Sequence, residues 1–209
     1  EDVLEEYILC GNGAAELIYA YCEAINAKLA VELAPTFSEY TLGLARAGCH
    51  VERYVLRKDN DFDLDDGFLP LLMEHKPEVV FLCNPNNPTG RILPFDTLEK
   101  ILEFCHQHHT RLFLDECFLD LSDEGISMKG YLKAYPELCI LKAFTKSYGM
   151  AGVRLGYCLC SDEELLEKMS RTVQPWNVSI LAQAAGVAAL SETQFLAKTK
   201  ALIPVERRW

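Results

Sequence analysis

The chain has 209 residues, of which 50% are hydrophobic and 24% are charged. This composition is typical of a folded globular protein, and it excludes a disordered or collagen-like chain. With 20 basic and 31 acidic residues the net charge is −11, so neither nucleic acid nor an anionic membrane surface is expected as a partner. No apolar run approaches the ~20 residues of a membrane span, and the acidic start of the chain does not resemble a signal peptide.

Short apolar runs alternate with helical patterns along the chain. In chain order they predict a strand at residues 7–10, a helix at 14–27, a strand at 28–33, a helix at 37–47, a strand at 51–56, a helix at 64–75, a strand at 79–83, a helix at 95–109, strands at 112–114, 140–143 and 157–160, and helices at 162–171 and 180–190. The run at 79–83 is apolar at every position, which predicts burial on both faces of a sheet. The alternation favours a three-layer α/β/α fold with a mostly parallel central sheet.

Nine cysteines are scattered along the chain without a CxxC pair, which argues against a zinc ribbon or a thioredoxin-type site. Most lie in apolar runs and are interpreted as buried, reduced thiols, which indicates a reducing compartment, the cytoplasm. No metal site is expected. The acidic residues at 61–65 lack the glycine and glutamate positions of a calcium loop, and the histidines at 106–109 suit the end of a helix.

Polar or glycine-rich segments follow several of the predicted strands. They come after Cys10, after Cys83, at Asp115 and after Ala143. Because ligands of α/β folds bind beyond the carboxyl ends of the strands, we expect these segments to form one ligand site.

Two of these segments contain amide and acidic side chains. The loop NPNNPTG at 84–90 has two prolines and a glycine, which predict a stiff loop of fixed shape, and three asparagines held in such a loop need partners. Asp115 directly follows an apolar run, so we expect it to be at least partly buried and to have a cationic or hydrogen-bonded partner.

A lysine and an arginine mark the two other motifs. Lys146 lies in FTKSYG at 144–149, and burial there would depress its pKa and make it a nucleophile toward carbonyls. Arg154 lies in GVRLG at 152–156, where the flanking glycines suit an arginine that clamps an anion.

The ordered set NPNNPTG, DE, TKSYGMAG and RLGY resembles the fold-type I, class I/II aminotransferase family, which depends on pyridoxal phosphate, and the resemblance covers nearly the whole chain. It implies the large-domain fold of that family and an enzyme that acts on an amino acid or a phosphorylated amine. It also implies that Lys146 holds the cofactor as a Schiff base and that Asp115 pairs with the protonated pyridine nitrogen.

The resemblance implies the remaining contacts with the cofactor as well. The phosphate would meet backbone amides at a helix start and two side chains, and the ring would meet an aromatic residue and an amide. The phosphate-binding residues would be Gly13, Ala14, Ala15, Thr145 and Arg154, and the ring contacts would be Phe37, which stacks, and Asn87, which hydrogen-bonds the phenolic oxygen.

Two segments narrow the choice within the family. Many members have a tyrosine three residues after the aspartate, but this chain has Phe118. The run DECFLD at 115–120 and the run QPWNVS at 174–179 are similar to threonine-phosphate decarboxylases of the cobalamin pathway. A histidinol-phosphate or aromatic aminotransferase stays open as the alternative.

Family chains are longer at both ends, so the resemblance implies that residues 1–209 are the cofactor-binding large domain, without the N-terminal arm and most of the C-terminal small domain. It also implies a homodimer. A domain that binds the cofactor without catalysis is the alternative from another class. A Rossmann oxidoreductase is disfavoured because the GNG turn at 11–13 does not match GxGxxG.

Overall fold

A mostly parallel β-sheet forms the centre of the protein, whose residues 3–208 are described by a computed structural model. The strands are β1 (Ile8–Asn12), β2 (Leu29–Ala34), β3 (His50–Val55), β4 (Val79–Cys83), β5 (Arg111–Asp115), β6 (Leu138–Ala143) and β7 (Leu155–Cys160). They lie in the order β1-β7-β6-β5-β4-β2-β3. β7 runs antiparallel to its neighbours β1 and β6, and the other neighbouring pairs are parallel, which confirms the predicted sheet.

Helices cover both faces of the sheet. On β4, Phe81 and Cys83 pack in a core with residues of the first, second and sixth helices, whereas Val80 and Leu82 pack in a core with the third and fourth. The predicted three-layer arrangement is therefore confirmed. The helices are α1 (Ala14–Ile25), α2 (Glu39–Arg46), α3 (Phe68–His75), α4 (Phe95–His108), α5 (Phe144–Ser147), α6 (Glu163–Thr172), α7 (Ile180–Ser191) and α8 (Thr193–Glu206).

The observed elements depart from the predicted ones at their ends and in two helices. β1 begins only at Ile8 because Glu5–Tyr7 form a 3-10 helix. α5 has four residues, too few for a periodic pattern to reveal. α8 was not predicted, because apolar side chains such as Leu202 and Val205 stay exposed and mark no buried face. Within residues 3–208, no helix combines the length and the apolar character that crossing a bilayer requires.

The carboxyl ends of β4, β5 and β6 meet at one edge of the sheet. Cys83 pairs with Asp115, and Asp115 pairs with Leu141, so the loop after β4, the end of β5 and the start of α5 lie side by side. Across the antiparallel β7, Gly11 of β1 pairs with Gly156. This pairing brings the start of α1 to the same edge, as the sequence motifs predict.

Candidate cofactor-binding site

A cavity of about 210 Å³ opens at this edge. Gly13 is not among its lining residues but directly precedes Ala14, which is. Three larger depressions on the described part of the chain, of about 530, 320 and 650 Å³, contain neither Asp115 nor Lys146. The structure therefore brings the sequence-predicted site residues together, and eight of the nine line this cavity: Ala14, Ala15, Phe37, Asn87, Asp115, Thr145, Lys146 and Arg154.

Asp115 is a buried acid with two hydrogen-bond donors. It is the last residue of β5 and is 5% exposed. Tyr40 Oη donates to Oδ2 at 2.6 Å, and the Cys117 backbone N–H donates to Oδ1 at 2.9 Å. Burial raises the pKa of this carboxyl, while the two hydrogen bonds act to lower it. The predicted burial and partner are confirmed, but sequence reasoning missed Tyr40, which lies 75 positions away along the chain.

Lys146 lies on α5, directly after β6. Its side chain is exposed, so the expectation of a buried lysine at this position is wrong. The reason is that β6 ends at Ala143 and α5 leads the chain out of the sheet. The Lys146 Nζ instead lies over the ring of Phe118, 5.5 Å from its centroid, with the cavity open to it.

Arg154 packs against the first turn of α1. Gly13 precedes this helix with φ 81° and without a side-chain cap, and a Cβ added to it would lie 2.3 Å from Arg154 Nη2. A Cβ on Gly156 would lie 2.5 Å from the Ala14 backbone nitrogen. Both glycines are thus needed for the guanidinium and β7 to approach the helix start. A guanidinium beside unpaired helical amides is suited to bind an anion.

The three asparagines of the 84–90 loop have different environments. Asn84 Oδ1 accepts a hydrogen bond from the Leu93 backbone N–H at 2.8 Å. Asn86 Nδ2 donates to the Pro35 carbonyl at 3.0 Å. These two side chains hold the loop in shape, whereas Asn87 lines the cavity.

The chemistry of these residues fits pyridoxal phosphate. The guanidinium of Arg154 and the start of α1 suit a phosphate, and the Asp115 carboxylate suits a protonated ring nitrogen. The Lys146 amine suits a carbonyl carbon. Phe37 supplies an aromatic surface in the same cavity.

Comparisons with known proteins agree with this chemistry. The model of the family described as Aminotransferase class I and II matches residues 2–208. Threonine-phosphate decarboxylase of Salmonella typhimurium is 35% identical over 187 residues, which are 90% of this chain and 51% of that protein. The chloroplastic histidinol-phosphate aminotransferase of Nicotiana plumbaginifolia is 36% identical over 205 residues, which are 97% of this chain and 48% of that protein.

Solved structures show the same fold. Histidinol-phosphate aminotransferase from Clostridium acetobutylicum matches with a TM-score of 0.88 at 26% identity, over 98% of this chain and 60% of that chain. L-threonine-O-3-phosphate decarboxylase from Porphyromonas gingivalis matches with a TM-score of 0.78 at 25% identity, over 93% of this chain and 56% of that chain. The chain spans about half the length of the curated relatives it matches.

Proposed function

The chain belongs to the aminotransferase class I and II family, and on that premise we propose that it is the cofactor-binding large domain of a pyridoxal-phosphate enzyme. The enzyme acts on an amino acid or a phosphorylated amine. The observation that carries this proposal is the cavity, which unites a carboxylate, an amine and a guanidinium from Asp115, Lys146 and Arg154.

Each part of the cofactor has residues to hold it. Among the described residues, Lys146 supplies the amine of the cavity, so it is the covalent anchor. Asp115 holds the proton of the ring nitrogen. The other proposed contacts are Asn87 with the phenolic oxygen, Phe37 with the ring face, and Gly13, Ala14, Ala15, Thr145 and Arg154 with the phosphate.

Pyridoxal phosphate, when bound, supplies a ring that withdraws electrons from the substrate's Cα. Tyr40 and Cys117 orient the Asp115 carboxylate and favour its ionised form, which in turn favours a protonated ring nitrogen. Lys146 supplies the amine that moves a proton at the substrate's Cα. The ring of Phe118 lies beside that amine and helps to orient it.

For the substrate we propose O-phosphothreonine, decarboxylated as in the cobalamin pathway. Phe118 lines the cavity, and the runs at 115–120 and 174–179 are similar to those of threonine-phosphate decarboxylases. A second candidate, transamination of histidinol phosphate, is favoured by the larger share of this chain that the Nicotiana relative matches, 97% against 90%, and by the higher TM-score of the Clostridium structure.

One assay on the full-length protein separates these candidates. The protein is incubated with pyridoxal phosphate and one of two substrate mixtures: O-phosphothreonine alone, or histidinol phosphate together with 2-oxoglutarate. The release of carbon dioxide and the formation of glutamate are then measured. Carbon dioxide from O-phosphothreonine is expected. Glutamate formed with histidinol phosphate would support the second candidate. Cofactor binding without either product would favour a domain that binds pyridoxal phosphate without catalysis.

We also propose that the protein is a homodimer and that α7 contributes to its interface. The outer side of α7 exposes Ile180, Leu181 and Val187, and Trp176 just before it is 96% exposed. Contiguous exposed apolar surface of this kind is typical of protein interfaces. Light scattering over a concentration series tests the proposal, and a full-length protein that is monomeric yet active would contradict it.

A cytoplasmic location and a role in amino-acid metabolism complete the proposal. All nine cysteines are free, and eight of them are buried. Unpaired thiols in this number are typical of a reducing compartment. Fractionation of cells that express the full-length protein tests the location.

A further inference from the structure

A second lysine, Lys142, lies buried four residues before Lys146. It belongs to β6, is 2% exposed and does not line the cavity. Its Nζ is 2.8 Å from Asp120 Oδ1 and 3.5 Å from Glu116 Oε2. Burial of an ammonium is costly unless carboxylates or other acceptors pair with it, and these two carboxylates provide that pairing.

Both carboxylates are tied to the protein around them. Glu116 is fully buried, and its Oε1 accepts a hydrogen bond from the Met128 backbone N–H at 2.9 Å. Burial raises the pKa of Glu116, and the Lys142 ammonium opposes that rise. Asp120 Oδ2 accepts a hydrogen bond from Ser147 Oγ at 3.3 Å. Glu116, Asp120, Lys142 and Ser147 thus form one ionic cluster.

Two members of the ionic cluster are next to proposed site residues in the chain. Glu116 follows Asp115 at the end of β5, and Ser147 follows Lys146 on α5. The cluster therefore links the segment that carries the acid to the segment that carries the amine. We propose that the ionic cluster is a positioning device that fixes Asp115 and Lys146 relative to each other. The inference rests on the proposed function, which gives those two residues their roles.

Removing the charge of Asp120 should weaken the ionic cluster without altering Asp115 or Lys146. In Asp120→Asn, the Lys142 ammonium keeps one carboxylate, at the longer distance of 3.5 Å. The amide also accepts a weaker hydrogen bond from Ser147 than the carboxylate does. The restraint on α5 is then reduced, so Lys146 loses its fixed place while its own side chain is unchanged.

The test compares Asp120→Asn with Asp123→Asn, the same change at an exposed aspartate of the same loop. Titration of visible absorbance should show that Asp120→Asn binds pyridoxal phosphate about tenfold more weakly, the loss typical of removing an outer-shell partner at metal sites. The pH at which the bound cofactor's absorbance changes should shift in that variant alone. Lys142→Arg, which keeps the charge, should retain most of the affinity. Unchanged affinity and an unchanged pH profile in folded Asp120→Asn would overturn the proposal.

Acylation of lysines by acetic anhydride, followed by mass spectrometry, gives a readout without cofactor. Lys142 should react much more slowly than Lys146, and Asp120→Asn should change the rate of Lys146 relative to exposed Lys133. An unchanged ratio would contradict the positioning role. If Asp120→Asn does not fold, Ser147→Ala, which removes one hydroxyl, replaces it in the test. The cofactor affinity and the acylation rate of Lys146 are then measured in that variant. A changed ratio in a chain that never binds the cofactor would refute the proposed function and leave the ionic cluster's effect on Lys146 standing.

Discussion

Replacing Tyr40 with phenylalanine removes one hydroxyl and leaves the aromatic ring in place. That ring lies 5.6 Å from the ring of Phe37, 5.5 Å from that of Phe81 and 6.4 Å from that of Phe113, measured between centroids. A phenylalanine keeps all three contacts and creates no cavity. Tyr40→Phe therefore removes the hydrogen bond to Asp115 Oδ2 together with the interaction of the hydroxyl with the Cys83 thiol.

The expected loss of stability in Tyr40→Phe depends on the charge of Asp115. A hydrogen bond to a charged group contributes about 1.5–3 kcal/mol to stability and one between neutral groups about 0.5–1.5 kcal/mol. Burial raises the pKa of Asp115 in the folded protein. The contribution of this carboxyl to the free energy of unfolding is therefore fully present below its ordinary pKa, and it is lost as pH rises through the raised pKa of the folded state. Removing the Tyr40 hydroxyl raises that pKa further. The loss of unfolding free energy in Tyr40→Phe is therefore larger at neutral pH, where the buried carboxyl has to be ionised, than at low pH.

Urea unfolding at pH 7.5 of four proteins tests this reasoning: wild type, Tyr40→Phe, Asp115→Asn and the double variant. Tyr40→Phe should lower the free energy of unfolding by about 1.5–3 kcal/mol in the wild-type background and by about 0.5–1.5 kcal/mol beside Asn at position 115. Equal losses in the two backgrounds would refute the view that Tyr40 stabilises a charged Asp115.

Three further changes test the cavity itself. Lys146→Ala should abolish the visible absorbance of bound pyridoxal phosphate and its borohydride-trapped adduct, and an adduct of unchanged yield in mass spectrometry would contradict the assignment. Asp115→Asn keeps the side-chain shape but removes its charge, so kcat of the full-length enzyme should fall by about 100-fold, as for other preorganised electrostatic partners; full activity would exclude the role. Gly13→Ala would place a side chain at φ 81°, so urea unfolding should show a loss of about 1–3 kcal/mol, and because its Cβ would displace the Arg154 guanidinium, phosphate should bind more weakly. Wild-type stability of Gly13→Ala would contradict the backbone strain, and wild-type phosphate binding would contradict the close approach of Arg154.

The layers of the fold could be predicted because they depend on local patterns. Five consecutive apolar residues in β4 are buried in two cores, which the run at 79–83 already predicts. The burial of Asp115 follows in the same way from its place after an apolar strand. α8 left no such pattern, since its apolar residues stay on the surface.

The partners of the site residues depend on contacts between distant segments. Tyr40 reaches Asp115 only because α2 packs beside the end of β5, and no spacing in the sequence encodes that contact. Lys142 did leave a signal that sequence reasoning passed over, a lysine between Leu141 and Ala143 in an otherwise apolar strand. A charge at such a position requires buried partners, here supplied by Glu116 and Asp120.

Lys142 and Lys146 lie only four residues apart but differ in their surroundings. Lys142 stays within β6, where it is buried and pairs with two carboxylates. Lys146, four residues later on α5, lies over the ring of Phe118 and has no carboxylate partner among residues 3–208. The ion pair between Lys142 and Glu116 ties β6 to the end of β5. The cost of burying one charged lysine is thereby offset by contacts that, in our proposal, also set the place of Lys146.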